Sequence, residues 1–254
     1  MTHRQFQRFI TVILLLATIV AAADLVYLTS VDKRFLRCAE RGLLAGWEQS
    51  APESTLRDLD QKSDTAFIDA EHAAVAYFLG KKFKDESLGS LATDYINALN
   101  ECSKVKAKSD PNKNFNKFWK NFSEPYGRRI RAIYALEKGD YRFLLELPDK
   151  YRKDNDELML QGWALNKTAE IVFDRGKDSD NELVAEVVND SGYDLEYIDL
   201  TVDLYNKKGK YIETLSVYRS GIKKDETIKL HCYESEAGKT REFVVTAIDC
   251  ERAD

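Results

Sequence analysis

Histidine, proline and glycine are scarce in this chain of 254 residues, which has three histidines, four prolines and twelve glycines. The low proline and glycine content argues against long disordered stretches. The net charge of −5 and the pI near 5.5 give no basic excess of the kind that gathers nucleic acid or anionic lipid. The remaining composition, 44% hydrophobic and 32% charged, suits one or two domains with apolar cores and a solvated surface.

The scarcity of histidine also limits the chemistry that the sequence supports. His3 lies in the basic N-terminus, while His72, beside the apolar face of a predicted helix, and His231, in a predicted strand, are expected at the surface. Two histidines in different domains make a poor metal site or catalytic triad. The chain also lacks G-x-S-x-G, a phosphate-binding glycine loop and H-E-x-x-H. We therefore predict no enzyme activity and no cofactor, and we assign no catalytic, cofactor-binding or metal-ligating residue.

One long apolar run, Phe9–Leu28, follows a short basic start. The run has about the length needed to cross a bilayer as a helix. It fits a membrane anchor, or a signal peptide cleaved after the small residues Ala21–Ala23. The charged Asp24 argues against a membrane span unless this residue lies near the membrane–water interface. A third alternative is that the run forms a buried core helix of a cytosolic protein. We expect residues 1–30 to direct the protein out of the cytoplasm, either secreted or anchored by a single pass.

Apolar residues in the middle of the chain repeat with a helical period. Ser63-Asp64 and Asp85 are the expected caps of the second and third predicted helices, and Pro125 is expected to kink the fourth. Another helix is predicted at 156–165, and residues 31–165 together are predicted to form a helical bundle. The four main stripes are Phe35, Leu36, Ala39, Leu43 and Trp47; Phe67, Ala70, Ala74, Tyr77 and Phe78; Leu88, Leu91, Ala92, Tyr95, Ile96, Leu99 and Cys102; and Phe115, Phe118, Trp119, Phe122, Tyr126, Ile130, Ile133 and Tyr134.

From Ala169 the period shortens from about 3.6 to 2 residues, which predicts strands. In the clearest strand, 197–205, apolar residues alternate with polar ones, and 206–209 forms a turn. About six short strands separated by turns predict an antiparallel β-sandwich over residues 166–254, so the predicted fold class is α+β with several domains. The other predicted strands are 171–173, 183–188, 211–218, 227–233 and 241–250, with a loop at 221–225.

Four short segments of this β region resemble a known family. Val187–Gly192 (V-V-N-D-S-G) precedes the long strand, Val202–Asn206 reads V-D-L-Y-N, and Lys208–Lys210 and Ile222–Glu226 follow. Through these residues the chain resembles the FxLYD domain, an immunoglobulin-like module of bacterial exported proteins. The family has Phe at the position of Val202 and Asp at the position of Asn206, which are mild departures at an inward apolar site and a turn.

The helical region is similar to one that precedes this domain in some members, through Trp119, Tyr126, Arg128 and Arg131. The resemblance implies an immunoglobulin-like fold, export, a location in the cell envelope and an interaction or accessory role. It implies no established activity, so it assigns no catalytic residue.

Four cysteines could form two disulfides in an exported protein. Cys38 and Cys102 fall in predicted helices and could bridge them, whereas Cys232 and Cys250 fall in the last two predicted strands. If those strands form a hairpin around 236–239, Cys250 lies about six residues beyond the position opposite Cys232, roughly 20 Å away. That separation is too large for a disulfide. None of the pairs has the spacing of a metal site.

Two charged clusters have competing interpretations. Asp199 and Asp203, with Glu196, could bind a cation weakly, although a solvated sheet face is favoured. Lysines that flank aromatic residues could indicate single-stranded nucleic acid, but a solvated lysine face over a helical core is favoured, and an anionic envelope polymer or lipid headgroup is the other candidate ligand. This basic cluster comprises Lys104, Lys106, Lys108, Lys113, Lys117 and Lys120 around Phe115, Phe118 and Trp119.

Two functions remain open at this point. We expect an extracytoplasmic interaction or accessory protein of the cell envelope, which binds a protein or envelope component without catalysis and does not bind nucleic acid. The alternative is an enzyme of unrecognised type, or an accessory to one, with a small-molecule pocket lined by converging polar groups.

Overall fold

A computed structural model describes residues 30–49, 66–109, 113–139, 141, 147–177, 181–235 and 240–253. Within these ranges the chain has five α-helices and two small antiparallel sheets, which confirms the predicted α+β class. The predicted membrane or signal segment and the cap Ser63-Asp64 lie outside the described residues. None of the helices in the described ranges combines the length and the apolar character that a membrane span requires.

The described residues divide into two compact units, and each is considered separately. Unit 1 contains the described residues of 30–49, 66–122 and 136–141, and unit 2 contains those of 123–135 and 147–253. The helices are α1 (Val31–Gln49), α2 (Ala66–Val75), α3 (Glu86–Lys108), α4 (Phe115–Lys138) and α5 (Arg152–Glu170).

All five predicted helices are present, although their ends differ from the prediction. Asp85 caps α3 as predicted, since its carboxylate accepts a hydrogen bond of 3.0 Å from the Leu88 amide. The helix α4 continues past Pro125 to Lys138. The helix α5 is much longer than the predicted segment, because a short 3₁₀ turn at Asp149–Tyr151 leads directly into it.

In unit 1, α1 packs closely against α2 because glycine occupies two contact positions. A Cβ atom at Gly42 would lie 2.8 Å from the Ala74 Cβ, and one at Gly46 would lie 2.9 Å from the Phe67 Cβ. Distances this short are not tolerated between carbon atoms. Both glycines therefore permit the close approach of the two helices.

The buried face of α2 differs from the predicted stripe. The prediction placed Tyr77 in the core, but Tyr77 lies in the 3₁₀ turn Ala76–Phe78 that follows α2. Its side chain is 62% exposed and lies under the ammonium group of Lys81, at 4.3 Å from the ring centre. Glu71 is buried instead, and it is accommodated because the Tyr95 hydroxyl donates a hydrogen bond of 2.7 Å to its carboxylate. The apolar period of a helix cannot predict that a carboxylate is buried when its hydrogen-bond partner lies on another helix.

Unit 2 contains six strands in two sheets, and all pairings are antiparallel. The strand order is β1-β2-β5 in the first sheet and β4-β3-β6 in the second. The strands are β1 (Asp174–Arg175), β2 (Glu182–Val188), β3 (Leu195–Asn206), β4 (Tyr211–Ile222), β5 (Thr227–Tyr233) and β6 (Thr240–Arg252).

The period-2 pattern of 197–205 correctly identified the inward side chains of β3. One hydrophobic cluster contains residues of all strands from β2 to β6, together with Trp163 of α5. Burial of these side chains provides the main stabilisation of unit 2. The cluster's buried side chains on β2 and β3 are Leu183, Ala185, Val187, Leu195, Ile198, Leu200, Val202 and Leu204.

Two predictions about the strands are wrong, and the hairpin assumed in the argument about the cysteines is absent. Residues 171–173 precede the first strand, which comprises only Asp174–Arg175, and β4 runs through part of the predicted loop to Ile222. The last two strands form no hairpin, because β5 pairs with β2 and β6 pairs with β3. The distance argument for Cys232 and Cys250 therefore loses its basis.

None of the four cysteines forms a disulfide in the structure, including the predicted possibility of a bridge between Cys38 and Cys102. Burial raises the pKa of the Cys232 thiol to about 11. Burial, with a smaller contribution from Asp249, raises the pKa of the Cys250 thiol to about 12.

Candidate binding surface

The loops that carry the family resemblance meet at Asn189, which is 1% exposed. Its side-chain amide donates to the carbonyl oxygens of Tyr193, at 2.8 Å, and Lys223, at 3.0 Å. Its side-chain oxygen accepts from the Ser191 hydroxyl at 2.7 Å. The backbone amide of Asp225 donates to the Asn189 carbonyl at 2.8 Å. Asn189 therefore joins the β2–β3 loop to the β4–β5 loop, which is a structural role.

The neighbouring Asp190 connects the same loop to α5. Its carboxylate accepts a hydrogen bond of 2.6 Å from the Trp163 indole and forms an ion pair of 3.1 Å with Lys167. Burial alone would raise the pKa of Asp190, but the hydrogen bonds from Trp163 and Lys167 outweigh it, so the pKa lies below its usual value. Within unit 2 this contact holds α5 against the β2–β3 loop, so it also has a structural role.

A third polar group lies on the outer side of the first sheet. His231 is on the surface, as predicted, but its Nδ1 atom lies 2.9 Å from the buried carboxylate of Glu182. Tyr233 lies directly opposite Glu182 in the β2–β5 pairing. Beyond the strand, Arg175 forms an ion pair of 2.6 Å with Glu234. The sequence pattern did not predict these partners, because they come from strands about fifty residues apart.

Among the described residues the other histidine is His72, which is half-buried, so the prediction that it is solvated is wrong. Its Nε2 atom lies 2.7 Å from the side-chain oxygen of Asn100 on α3. Throughout the described part of the chain, no three His, Cys, Asp or Glu side chains come together in a group that could hold a metal ion.

The outer surface of the second sheet has a distinctive composition, and we call it the tyrosine–carboxylate face. Five outward positions from each strand contribute to it, and they include four tyrosines and five carboxylates but neither lysine nor arginine. These positions are Tyr197, Asp199, Thr201, Asp203 and Tyr205 on β3; Tyr211, Thr214, Ser216, Tyr218 and Ser220 on β4; and Glu242, Val244, Ala247, Asp249 and Glu251 on β6.

Tyrosine pairs stand at both ends of this face. The rings of Tyr197 and Tyr218 stack with centroids 5.8 Å apart, and those of Tyr205 and Tyr211 meet edge to face at 6.1 Å. Tyr218 is 61% exposed and Tyr211 is 50% exposed. Large aromatic surfaces are therefore presented to solvent at fixed positions.

Carboxylates occupy the space between the two tyrosine pairs. Asp199 accepts a hydrogen bond of 2.7 Å from the Ser216 hydroxyl, and Asp203 accepts one of 2.5 Å from Thr214. Asp199 also lies directly opposite Asp249 on β6. Like charges at directly opposite positions destabilise a sheet, so this arrangement opposes folding. Asp199 and Asp203 of the predicted weak cation site thus belong to a wider acidic surface, whereas Glu196 lies at the irregularity between Leu195 and Tyr197 and is not one of its positions.

The basic cluster of unit 1 lies at the end of α3 and the start of α4, and we call it the lysine tip. Its members are Lys104, Lys108, Lys113, Lys117 and Lys120, all of which are exposed. Lys106 differs, because it forms an ion pair of 2.7 Å with Asp69. Phe118 is buried, while the stacked pair Phe115 and Trp119 is partly exposed. The sequence thus identified the solvated lysines but not the position of Phe115 and Trp119 at the margin of the core.

Comparison of this chain with models of protein families, with characterised proteins and with solved structures finds no match. The resemblance to the FxLYD domain stays a prediction that rests on the residues quoted above.

Proposed function

We propose that this protein is a non-catalytic binding protein of the cell envelope, and that its tyrosine–carboxylate face binds a protein segment rich in lysine and arginine. In this proposal residues 1–30 export or anchor the chain. Unit 1 is a helical bundle, and unit 2 is an immunoglobulin-like β-sandwich of the FxLYD type. The observation that carries the proposal is the composition of the face, which has five carboxylates and four tyrosines without a single basic residue.

The charge of the face supports a cationic partner. Its carboxylates lie on the two adjacent strands β3 and β6, so their potentials add over a small area. A cationic segment would relieve the repulsion between Asp199 and Asp249, which lie directly opposite each other. Complementary charge accelerates association and selects among partners.

The tyrosines support a protein partner over a simple counter-ion. Tyrosine is enriched in the centres of protein interfaces, because it buries a large apolar area and also hydrogen-bonds. The face of an aromatic ring attracts the ammonium group of lysine and the guanidinium group of arginine. Tyr211 and Tyr218 are at least half exposed and would supply this contact.

A direct test measures binding of a fluorescent peptide of alternating lysine and serine to the full chain in non-ionic detergent by fluorescence anisotropy. We expect binding that weakens as sodium chloride rises from about 50 to 300 mM, because salt screens exposed charges. The double substitution Asp199→Asn and Asp249→Asn should weaken binding by about tenfold or more. Tyr218→Ala should weaken it as well.

The matched control is Glu186→Gln, which removes one exposed carboxylate from the outer surface of the first sheet, where Glu186 pairs with Lys229. This variant should bind the peptide as the wild type does. Equal losses in the control and the test variants, or binding that is insensitive to salt, would contradict the proposal.

A further inference from the structure

We infer that the basic segment bound by the tyrosine–carboxylate face is the lysine tip of a second copy of this chain. This inference rests on the proposed function, and it names the partner. The same polypeptide carries a surface of five exposed lysines and a surface of five carboxylates, on different units.

The lysine tip is an exposed and strongly cationic surface. No ion pair holds the side chains of Lys104, Lys108, Lys117 or Lys120 among the described residues, and all four are exposed. Asn114 caps the start of α4, since its side-chain oxygen accepts a hydrogen bond of 2.9 Å from the Lys117 amide. The cap holds the first turn of α4 in place and so fixes the positions of Lys117 and Lys120.

The spacing of charges on the two surfaces is compatible. Lys117 and Lys120 are three residues apart on α4, and Lys104 and Lys108 are four apart on α3, which places neighbours about 5–6 Å apart. Asp199 and Asp249 are directly opposite each other on adjacent strands, about 4.5–5.5 Å apart. A pair of lysines from one helix can therefore meet a pair of carboxylates on the face.

Aromatic groups flank both surfaces. Phe115 and Trp119 stack with centroids 6.1 Å apart at the lysine tip and are partly exposed. The Tyr197–Tyr218 pair adjoins the carboxylates on the face. Aromatic contact adds apolar burial to the electrostatic attraction, which exposed ion pairs alone supply only weakly.

The proposed contact joins two different surfaces, so it is heterologous. Each molecule offers one lysine tip and one face, and association can continue beyond a dimer unless the geometry closes a ring. Self-association should therefore depend on protein concentration and weaken with salt.

Charge exchange between two variants tests this contact. The first variant, Asp199→Lys with Asp249→Lys, makes the face basic. The second variant, Lys117→Glu with Lys120→Glu, makes the tip acidic. Each full-chain variant alone should associate at least tenfold more weakly than the wild type in sedimentation velocity in non-ionic detergent. An equimolar mixture should recover association to within about threefold, because the unchanged lysine tip of the first variant meets the unchanged face of the second, and the basic face of the first meets the acidic tip of the second.

Folding is checked by circular dichroism. If a reversed variant does not fold, the neutral pair Asp199→Asn and Asp249→Asn replaces the first variant and should also weaken association. A wild type that stays monomeric at about 100 μM and low salt, or folded reversed variants whose mixture does not recover association, would overturn the inference. Association that persists in both reversed variants would overturn it too, because other residues must then mediate it.

The inference and the proposed function fail in different ways. A wild type that binds the lysine–serine peptide but does not self-associate refutes the second copy as the partner and leaves the proposed function intact. A wild type that does neither refutes both.

Discussion

Replacing Asn189 by alanine should destabilise unit 2 far more than an asparagine-to-alanine change in an exposed turn. Asn189 is 1% exposed, and its amide satisfies the carbonyl oxygens of Tyr193 and Lys223. The substitution removes these two hydrogen bonds and the one that the Ser191 hydroxyl donates to the Asn189 side chain, at a cost of about 0.5–1.5 kcal/mol each. We expect the free energy of unfolding to fall by about 2–4 kcal/mol, since water can satisfy part of the demand.

The matched control is Asn206→Ala. Asn206 accepts hydrogen bonds from the amides of Lys208 and Lys210 in an exposed turn, where water can replace it. We expect a loss of about 0.5–1 kcal/mol there.

The assay for both substitutions is urea unfolding of the full chain. Phenylalanine replaces Trp47 and Trp119 in every variant, so that Trp163, whose indole bonds to Asp190, is the only tryptophan. Equal losses at Asn189 and Asn206, or a loss below about 1 kcal/mol at Asn189, would refute the structural role argued for this residue.

Three further predictions concern unit 2. Gly162→Ala places a Cβ atom 2.5 Å from the Tyr134 Cβ and should lower the free energy of unfolding in urea by about 1–3 kcal/mol. Gly127→Ala has room for its Cβ atom and should raise that free energy by up to about 1 kcal/mol, because alanine favours the helix. A larger loss at Gly127 than at Gly162 would contradict this packing. Only the thiolate form of Cys232 reacts with Ellman's reagent, and burial raises the pKa of the Cys232 thiol. At pH 8 Cys232 should therefore react at least about tenfold more slowly in the folded protein than in urea. Equal rates would contradict the burial of this side chain. The pKa of Asp190 is lowered in the folded protein, so its carboxylate stabilises the fold at pH values above the unfolded pKa of about 3.9, and this stabilisation is lost as the pH falls through the folded pKa. The difference in urea midpoint between the wild type and Asp190→Asn should therefore shrink below about pH 4. A difference that stays constant with pH would contradict this role of Asp190.

The local sequence pattern was sufficient to predict the inward side chains of an element that buries one face and exposes the other to solvent. The alternation in 197–205 predicted the inward side chains of β3, and all of the inward apolar residues are buried there. Asp85 was identified as a cap because capping depends on neighbours three residues away. Pattern failed in the second predicted stripe, where Glu71 of α2 is buried and Tyr77, in the turn after α2, is exposed.

The candidate surface was only partly predictable. Asp199 and Asp203 alternate along one strand, so their common face followed from the period of 2. Asp249 joins them only through the pairing of β6 with β3. Because strand neighbours are chosen by contacts between distant segments, the sequence could not show that the acidic residues of these two strands form one surface.

The sequence by itself determined the α+β class, the existence of most helices and strands, and the side chains of β3 that face the core of unit 2, because each depends on a local period that water and apolar packing impose. Only the tertiary structure decided that β5 pairs with β2 and not with β6, and that Asn189 joins two loops more than thirty residues apart. These contacts depend on which distant groups can satisfy each other's hydrogen bonds out of water, and no local pattern encodes that choice.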